Sequence, residues 1–276
     1  MLEESLTLAR GVGEPWPIAY ALMHGIFRIA NSAAIERSKE CLGAWAASAE
    51  ALRLVQAVGD GLNSTVMQAH LGQIALYEGD HKRARAAFVA CLPMLSALGW
   101  RSAVAETLIR LASVAHAQGN DGEAASLYTE ALALYRRLGD QWLPAVAWVH
   151  AQLADLALER GDWMVAETQV VETLILARDN GLDGVPEFAE APLPRALEVR
   201  AALAAVQETP RRSIRLAGAA AALRTQINRA LAASARATLE RRLAPARQAL
   251  STEEQAQAWT EGQAMTPEQA VADALE

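Results

Sequence analysis

An all-α fold, a solenoid of helical hairpins with a helical C-terminal module, is predicted for this 276-residue chain by three observations. Hydrophobic residues are 52% of the chain and aromatics only 5%. Ala and Leu dominate, which suits close-packed helices, because both cost little in a helix and strands recruit β-branched and aromatic residues. The stretch HLGQIALYEGD, from His70 to Asp80, returns downstream as IRLASVAHAQGN and AQLADLALERGD. The glycines of those echoes, Gly79, Gly119 and Gly161, recur 40 and 42 residues apart, a period typical of stacked repeats.

Within each echo every residue class has a physical reason. Leu71-Gly72, Leu111-Ala112 and Leu153-Ala154 align, followed by Ala75, Ala115 and Ala157. After the Gly-Asp or Gly-Asn pair comes a small residue, Ala84, Ala124 or Ala166, and four later an apolar one, Phe88, Tyr128 or Val170. A second turn closes each unit at Gly99, Gly139 or Gly181. Glycine ends a helix because it enters the left-handed region cheaply, and the Asp or Asn after it can accept the unpaired amides that open the next helix. Small residues mark close helix crossings, and apolar stripes on both helices of a hairpin require stacking between neighbouring hairpins.

An earlier, degraded unit precedes these. Gly13-Glu14-Pro15-Trp16 resembles the turn at Gly139-Asp140-Gln141-Trp142, and Pro17, like Pro144, suits a first helical turn. A helix from Pro17 is expected to run past Gly25 into the polar Asn31 to Glu40, then a second from Cys41 to Val58 ending at Gly59. Met1 to Arg10 reads as the second half of a repeat, as in a piece of something longer.

Three prolines in DGVPEFAEAPLP, Asp183 to Pro194, interrupt the periodicity. Helix is expected again from Arg195 to Gln207, with a break near Pro210, and then almost throughout from Arg211, with Ser251 and Thr266 as N-caps. The expected organisation is a repeat array over 1–182, a loop over 183–194 and a C-terminal helical module over 195–276.

Residues 61–180 resemble the tetratricopeptide repeat (TPR), although the usual Trp early in the first helix is missing and the period is longer than its 34 residues. The module carries Leu216-Ala217-Gly218-Ala219-Ala220, Ala258-Trp259-Thr260-Glu261-Gly262 and Met265-Thr266-Pro267-Glu268-Gln269-Ala270. On these residues it is similar to the closing part of bacterial LuxR-type and signalling-ATPase (STAND, maltose-activator-like) transcriptional regulators. That resemblance implies an upstream ATPase module and a helix-turn-helix DNA reader, yet this sequence contains no GxxxxGK[ST] phosphate loop.

Several function classes fall away. No apolar run approaches the roughly 20 residues of a membrane span, and the N-terminus begins acidic, so a soluble cytoplasmic protein with no membrane partner is expected. Cys41 and Cys91 lack CxxC spacing and read as free buried thiols. His24, His70, His81, His116 and His150 show neither HExxH nor i, i+4 pairing, and there is no GxSxG nucleophile. No enzyme activity, cofactor or metal site is therefore expected.

What remains is recognition. In a TPR array the first helix of each repeat lines the concave face, and the resemblance places Gln73, Glu106, Ile109, Ser113, His116, Trp148 and Asp155 there. Polar groups around an aromatic anchor would suit a protein, peptide or small inducer, while a solvated face without a ligand reads the same residues equally well. Of the seven tryptophans, Trp16, Trp100 and Trp142 fall at equivalent turns, leaving Trp148 as the anchor. A different class of function is a free-standing oligomeric scaffold, a homo-oligomer in which an uncapped half-repeat pairs with another chain. The arginines between 211 and 247 could form a basic surface for nucleic acid masked by the acidic tail, or could pair with neighbouring acids. Their alternation with Ala, without interleaved aromatics, and a net charge of −7 favour pairing over nucleic acid.

Overall fold

The computed structural model of this protein describes residues 7–8, 10–12, 14, 17–20, 22, 38–180, 192–231 and 233–276. Among them every regular element is helical. In order they are α1 (Ser38–Ala57), α2 (Gly61–Tyr77), α3 (His81–Ala97), α4 (Arg101–Ala117), α5 (Asp121–Leu138), one 3-10 turn (Asp140–Trp142), α6 (Leu143–Glu159) and α7 (Trp163–Asn180). The remaining helices are α8 (Pro192–Val206), α9 (Pro210–Gln226), α10 (Ala233–Gln248), α11 (Thr252–Gln263) and α12 (Pro267–Leu275). None of them is long and apolar enough to cross a membrane. Two compact units divide the chain, Met1–Leu134 and Tyr135–Glu276, with the boundary inside α5.

The hairpin turns of the first unit follow the expected chemistry. Gly59, Gly79, Gly99 and Gly119 take φ between 69° and 77°, the left-handed region, and each stops a helix there. Asp60 and Asp80 then cap the following helices, their carboxylates accepting the amides of Asn63 and Arg83 at 3.0 Å. Trp100 holds the corresponding place before α4 without a side-chain cap. The small residues lie where helices cross: a Cβ on Gly72 would stand 2.8 Å from the Phe88 ring, and Ala75 and Ala84 are fully buried beside Phe88, Leu111 and Val114. A second cluster joins Ala51 and Val55 of α1 to Met67 of α2 and to Ala19 and Leu22. The helix expected from Cys41 already begins at Ser38. The segment Asn31 to Glu40 lies mostly outside the described residues, as do Gly13, Trp16, His24, Gly25 and most of Met1 to Arg10.

The second unit starts with the same vocabulary. Gly139 (φ 99°) and Gly161 (φ 76°) end helices, Trp142 stacks on Tyr135 at 5.2 Å between ring centroids, and Ala154, Ala166, Val170 and Leu174 enter the core. Helix α8 is under way from Pro192, three residues before the expected start, because prolines fit a first turn whose amides have no helical acceptor. The rest of the stretch 183–194, with Gly181, lies outside the described residues. Capping boxes open α11 and α12: Ser251 with Glu254, and Thr266 with Gln269. Helices α9 and α11 touch backbone to backbone. A Cβ on Gly218 would stand 2.5 Å from the Trp259 carbonyl oxygen and one on Gly262 only 1.9 Å from that of Arg215, so both positions of the closing module admit glycine alone.

Candidate interaction surfaces

In the first unit, α4 presents Glu106, Ile109, Ser113 and His116 at helical spacing. Glu106 accepts hydrogen bonds from Arg110, one turn on, and the two side chains are 34% and 22% exposed. Arg110 was not singled out by the TPR alignment, although its i, i+4 spacing from Glu106 was visible in the sequence. It also sets the electrostatics of the neighbourhood. His70 of α2 is driven down to about 4, first by burial and then by the Arg110 charge, so its imidazole is neutral at physiological pH. Burial raises the Cys91 thiol to about 11 against the opposing pull of the same arginine, which leaves it unreactive. Cys91 is free and buried, its Sγ donating to the Ala87 carbonyl at 3.1 Å.

The other positions differ in access. Gln73 of α2 is half-buried. Ser113 donates to the Ile109 carbonyl at 3.1 Å and lies 3.3 Å from the Tyr128 hydroxyl of α5. Ile109 is 3% exposed and forms a floor under the face rather than a contact point on it. His116, at the helix end, sits 2.9 Å from the Asp121 carboxylate across the Gly119 turn.

In the second unit, Trp148 is 8% exposed within α6. Asp155, two turns along, receives Arg242 of α10 at 2.5 Å and Arg195 of α8 at 3.5 Å, and Arg242 reaches on to Glu159 at 3.3 Å. Asp155 therefore lies beneath helices of the C-terminal module, which the alignment of repeats could not reveal, and Trp148 is buried rather than presented as an open anchor. His150 is buried nearby, with Nδ1 2.7 Å from Gln169 and Nε2 3.0 Å from Arg136. Arg136 can only donate, so Nε2 accepts and Nδ1 carries the proton. Burial lowers the pKa of His150 despite the Gln169 bond, in keeping with that neutral form.

Of the arginines of 211–247, Arg211, Arg215, Arg224, Arg242 and Arg247 pair with acids. Arg211 meets Glu261 at 2.7 Å, Arg247 meets Glu240 at 3.1 Å and lies over the Trp259 ring, and Arg215 grips Asp273. Arg224 and Glu198 form a buried pair at 2.5 Å with side chains 6% and 7% exposed. The pairing alternative of the sequence holds at these positions, and the acidic tail supplies two of the partners.

One apolar patch had no counterpart in the sequence reading. Trp163, Met164 and Val165 open α7 at 45%, 86% and 50% exposure, where α3 opens on His81-Lys82-Arg83 and α5 on Asp121-Gly122-Glu123.

Comparison with known proteins agrees with the turns and crossings. Residues 103–179 match the tetratricopeptide repeat family. The hairpins are TPR-like. A crystal structure of BtubC (BKLC) from P. vanneervenii superposes with a TM-score of 0.63 and 18% identity, over 84% of this chain and 91% of that one. At that identity the likeness speaks for the fold. No curated protein matches the chain. TPR hairpins generally serve protein–protein interaction, and their all-helical fold is typically non-catalytic.

Proposed function

We propose that the chain is a non-enzymatic TPR-like recognition module that binds a protein or peptide on the α2 and α4 face of its first unit. The supporting observation is the half-buried Glu106–Arg110 pair beside the neutral His70, which sets hydrogen-bonding groups over an apolar floor containing Ile109. Gln73, Ser113 and His116 extend that face. Trp148 and Asp155 belong to the second unit, where Asp155 holds α6 to α8 and α10.

In the wider reading the module is the ligand-sensing part of a bacterial LuxR-type or signalling-ATPase regulator, with a protein, peptide or small inducer as the signal and ATPase or DNA-binding modules upstream. The support for it is the closing module, whose glycines at 218 and 262 sit at a helix crossing that no other residue fits. Nucleic acid binding through 211–247 is disfavoured by the pairing of Arg211, Arg215, Arg224, Arg242 and Arg247 with acids.

The test is thermal unfolding against a library of peptides and metabolites. A ligand at 100 times its dissociation constant adds about 2.7 kcal/mol of stability. Gln73→Ala and Arg110→Ala should abolish that gain while the chain stays folded, and an undiminished gain in both would remove the face from consideration. Trp148→Ala is a poor probe, since truncating so buried a ring tests packing first.

A second reading, a homo-oligomeric scaffold, is favoured by the Trp163-Met164-Val165 patch. Sedimentation at high concentration should then show self-association that Met164→Lys removes, and a strict monomer would end it.

A further inference from the structure

The last helix is fastened in an unusual way. Through Ala270, Val271 and Ala274, α12 buries only small side chains, with Leu275 partly covered, against α7, α8 and α9. Its C-terminal turn is instead held by three arginines from two other helices. Arg200 of α8, 6% exposed, donates through Nε to the Ala274 carbonyl at 2.7 Å and through Nη1 to both Glu167 oxygens at 2.6 Å. Arg212 of α9 donates through Nη2 to the Asp273 carbonyl, and Arg215 binds the Asp273 carboxylate with both Nη2 and Nε. These contacts suit a helix end, whose last carbonyls lack helical partners and carry partial negative charge.

The fit is incomplete. The Nε of Arg212 is buried without a hydrogen-bond partner, so this seat offers one more donor than α12 uses. A buried donor left unmade costs free energy that a ligand with a further acceptor would recover. Only Ala264, Met265 and Thr266 link α11 to α12, and the capping box at Thr266 starts the last helix afresh.

We propose that the surface carrying Arg200, Arg212 and Arg215 is a recognition site for the C-terminal turn of a short acidic amphipathic helix from a partner protein, and that α12 occupies it as an internal stand-in. The partner helix presents small apolar residues where Ala270, Val271 and Ala274 stand, a carboxylate in place of Asp273, and an added acceptor for Arg212. Charge complementarity selects it: three guanidinium groups converge on the seat, with Glu167 near Arg200 and Glu261 near Arg215 as acids outside α12. The site is distinct from the α2 and α4 face and does not depend on the recognition proposed there.

Hydrogen exchange on the unmodified chain comes first. Amides of α12 should exchange at least tenfold faster than those of α9, as a displaceable helix requires, and equal protection would overturn the proposal. Next, a fluorescent peptide of residues 264–276 is titrated into the chain carrying Asp273→Asn, which weakens the internal helix and leaves the seat intact. The peptide should bind this variant at least tenfold more tightly than the unmodified chain. Adding Arg215→Ala should abolish binding, and Arg215→Lys, which keeps charge but loses the two-point contact, should reduce it several-fold if the alanine variant does not fold. Equal binding to all variants would overturn the proposal. Concentration-dependent dimerisation of the Asp273→Asn chain would assign the seat to a second copy and overturn the partner assignment.

Discussion

The described part of Met1–Leu134 buries no charged side chain, whereas Tyr135–Glu276 buries Glu198, Arg200 and Arg224. The first unit is joined by small residues, capped turns and exposed ion pairs such as Arg85–Glu123 at 2.5 Å. The second adds charges out of water and two glycines that let backbones meet. Periodic packing needs only shape and can be repeated, since each hairpin presents its neighbour with much the same surface. The C-terminal module makes contacts that exist once, so each depends on one named pair and none can be replaced by the next repeat along.

That contrast can be broken most sharply at Glu198. Glu198→Ala removes the carboxylate that the buried Arg224 grips and should cost about 3–5 kcal/mol in urea unfolding, while joint Glu198→Leu and Arg224→Met should recover most of the loss. A single-variant cost below about 1 kcal/mol would erase the distinction between the units. Next in size, Gly262→Ala should cost about 3 kcal/mol or more, because the new methyl meets the Arg215 carbonyl, which cannot move without its helix. Gly72→Ala in the repeats should cost only about 1–2 kcal/mol by the same measurement, since the Phe88 ring it meets can shift.

Acid sharpens the comparison from the repeat side. Unfolded His70 titrates near 6.5 and folded His70 near 4, so the unfolded chain takes up the proton first. Stability from this group is intact above pH 6.5 and is lost as pH falls toward 4, by at most about 3 kcal/mol. His70→Gln should flatten that limb of a stability-versus-pH curve, and an unchanged limb would acquit His70. The smallest effect belongs to the caps: Asp80→Ala should cost about 1 kcal/mol, measured by thermal unfolding, through loss of the bond to the Arg83 amide.

Legibility followed the range of the interaction. Gly79, Asp80, Ser251 and Thr266 could be read directly because a turn or cap is decided within about four residues. The Glu106–Arg110 pair is equally local, legible from its i, i+4 charge spacing and invisible to an alignment of repeat positions. The repeat position of Trp148 and Asp155, on the first helix of their hairpin, predicts an open face. What pairs with Asp155 comes from α8 and α10, far along the chain, and no local pattern carries that information. Gly262 stood out as part of a motif, yet its reason, the Arg215 carbonyl, lies on another helix.

The Asp155–Arg242 bond spans 87 residues of sequence. During synthesis the carboxylate leaves the ribosome long before its arginine, at about 5–20 residues per second an interval of several seconds. Over that interval the emerging hairpins of α6 and α7 can pair by their local turns, but their polar cover has not yet been made. A nascent chain halted before α10 would therefore be helical and unsealed, the stage at which a chaperone would find most to hold.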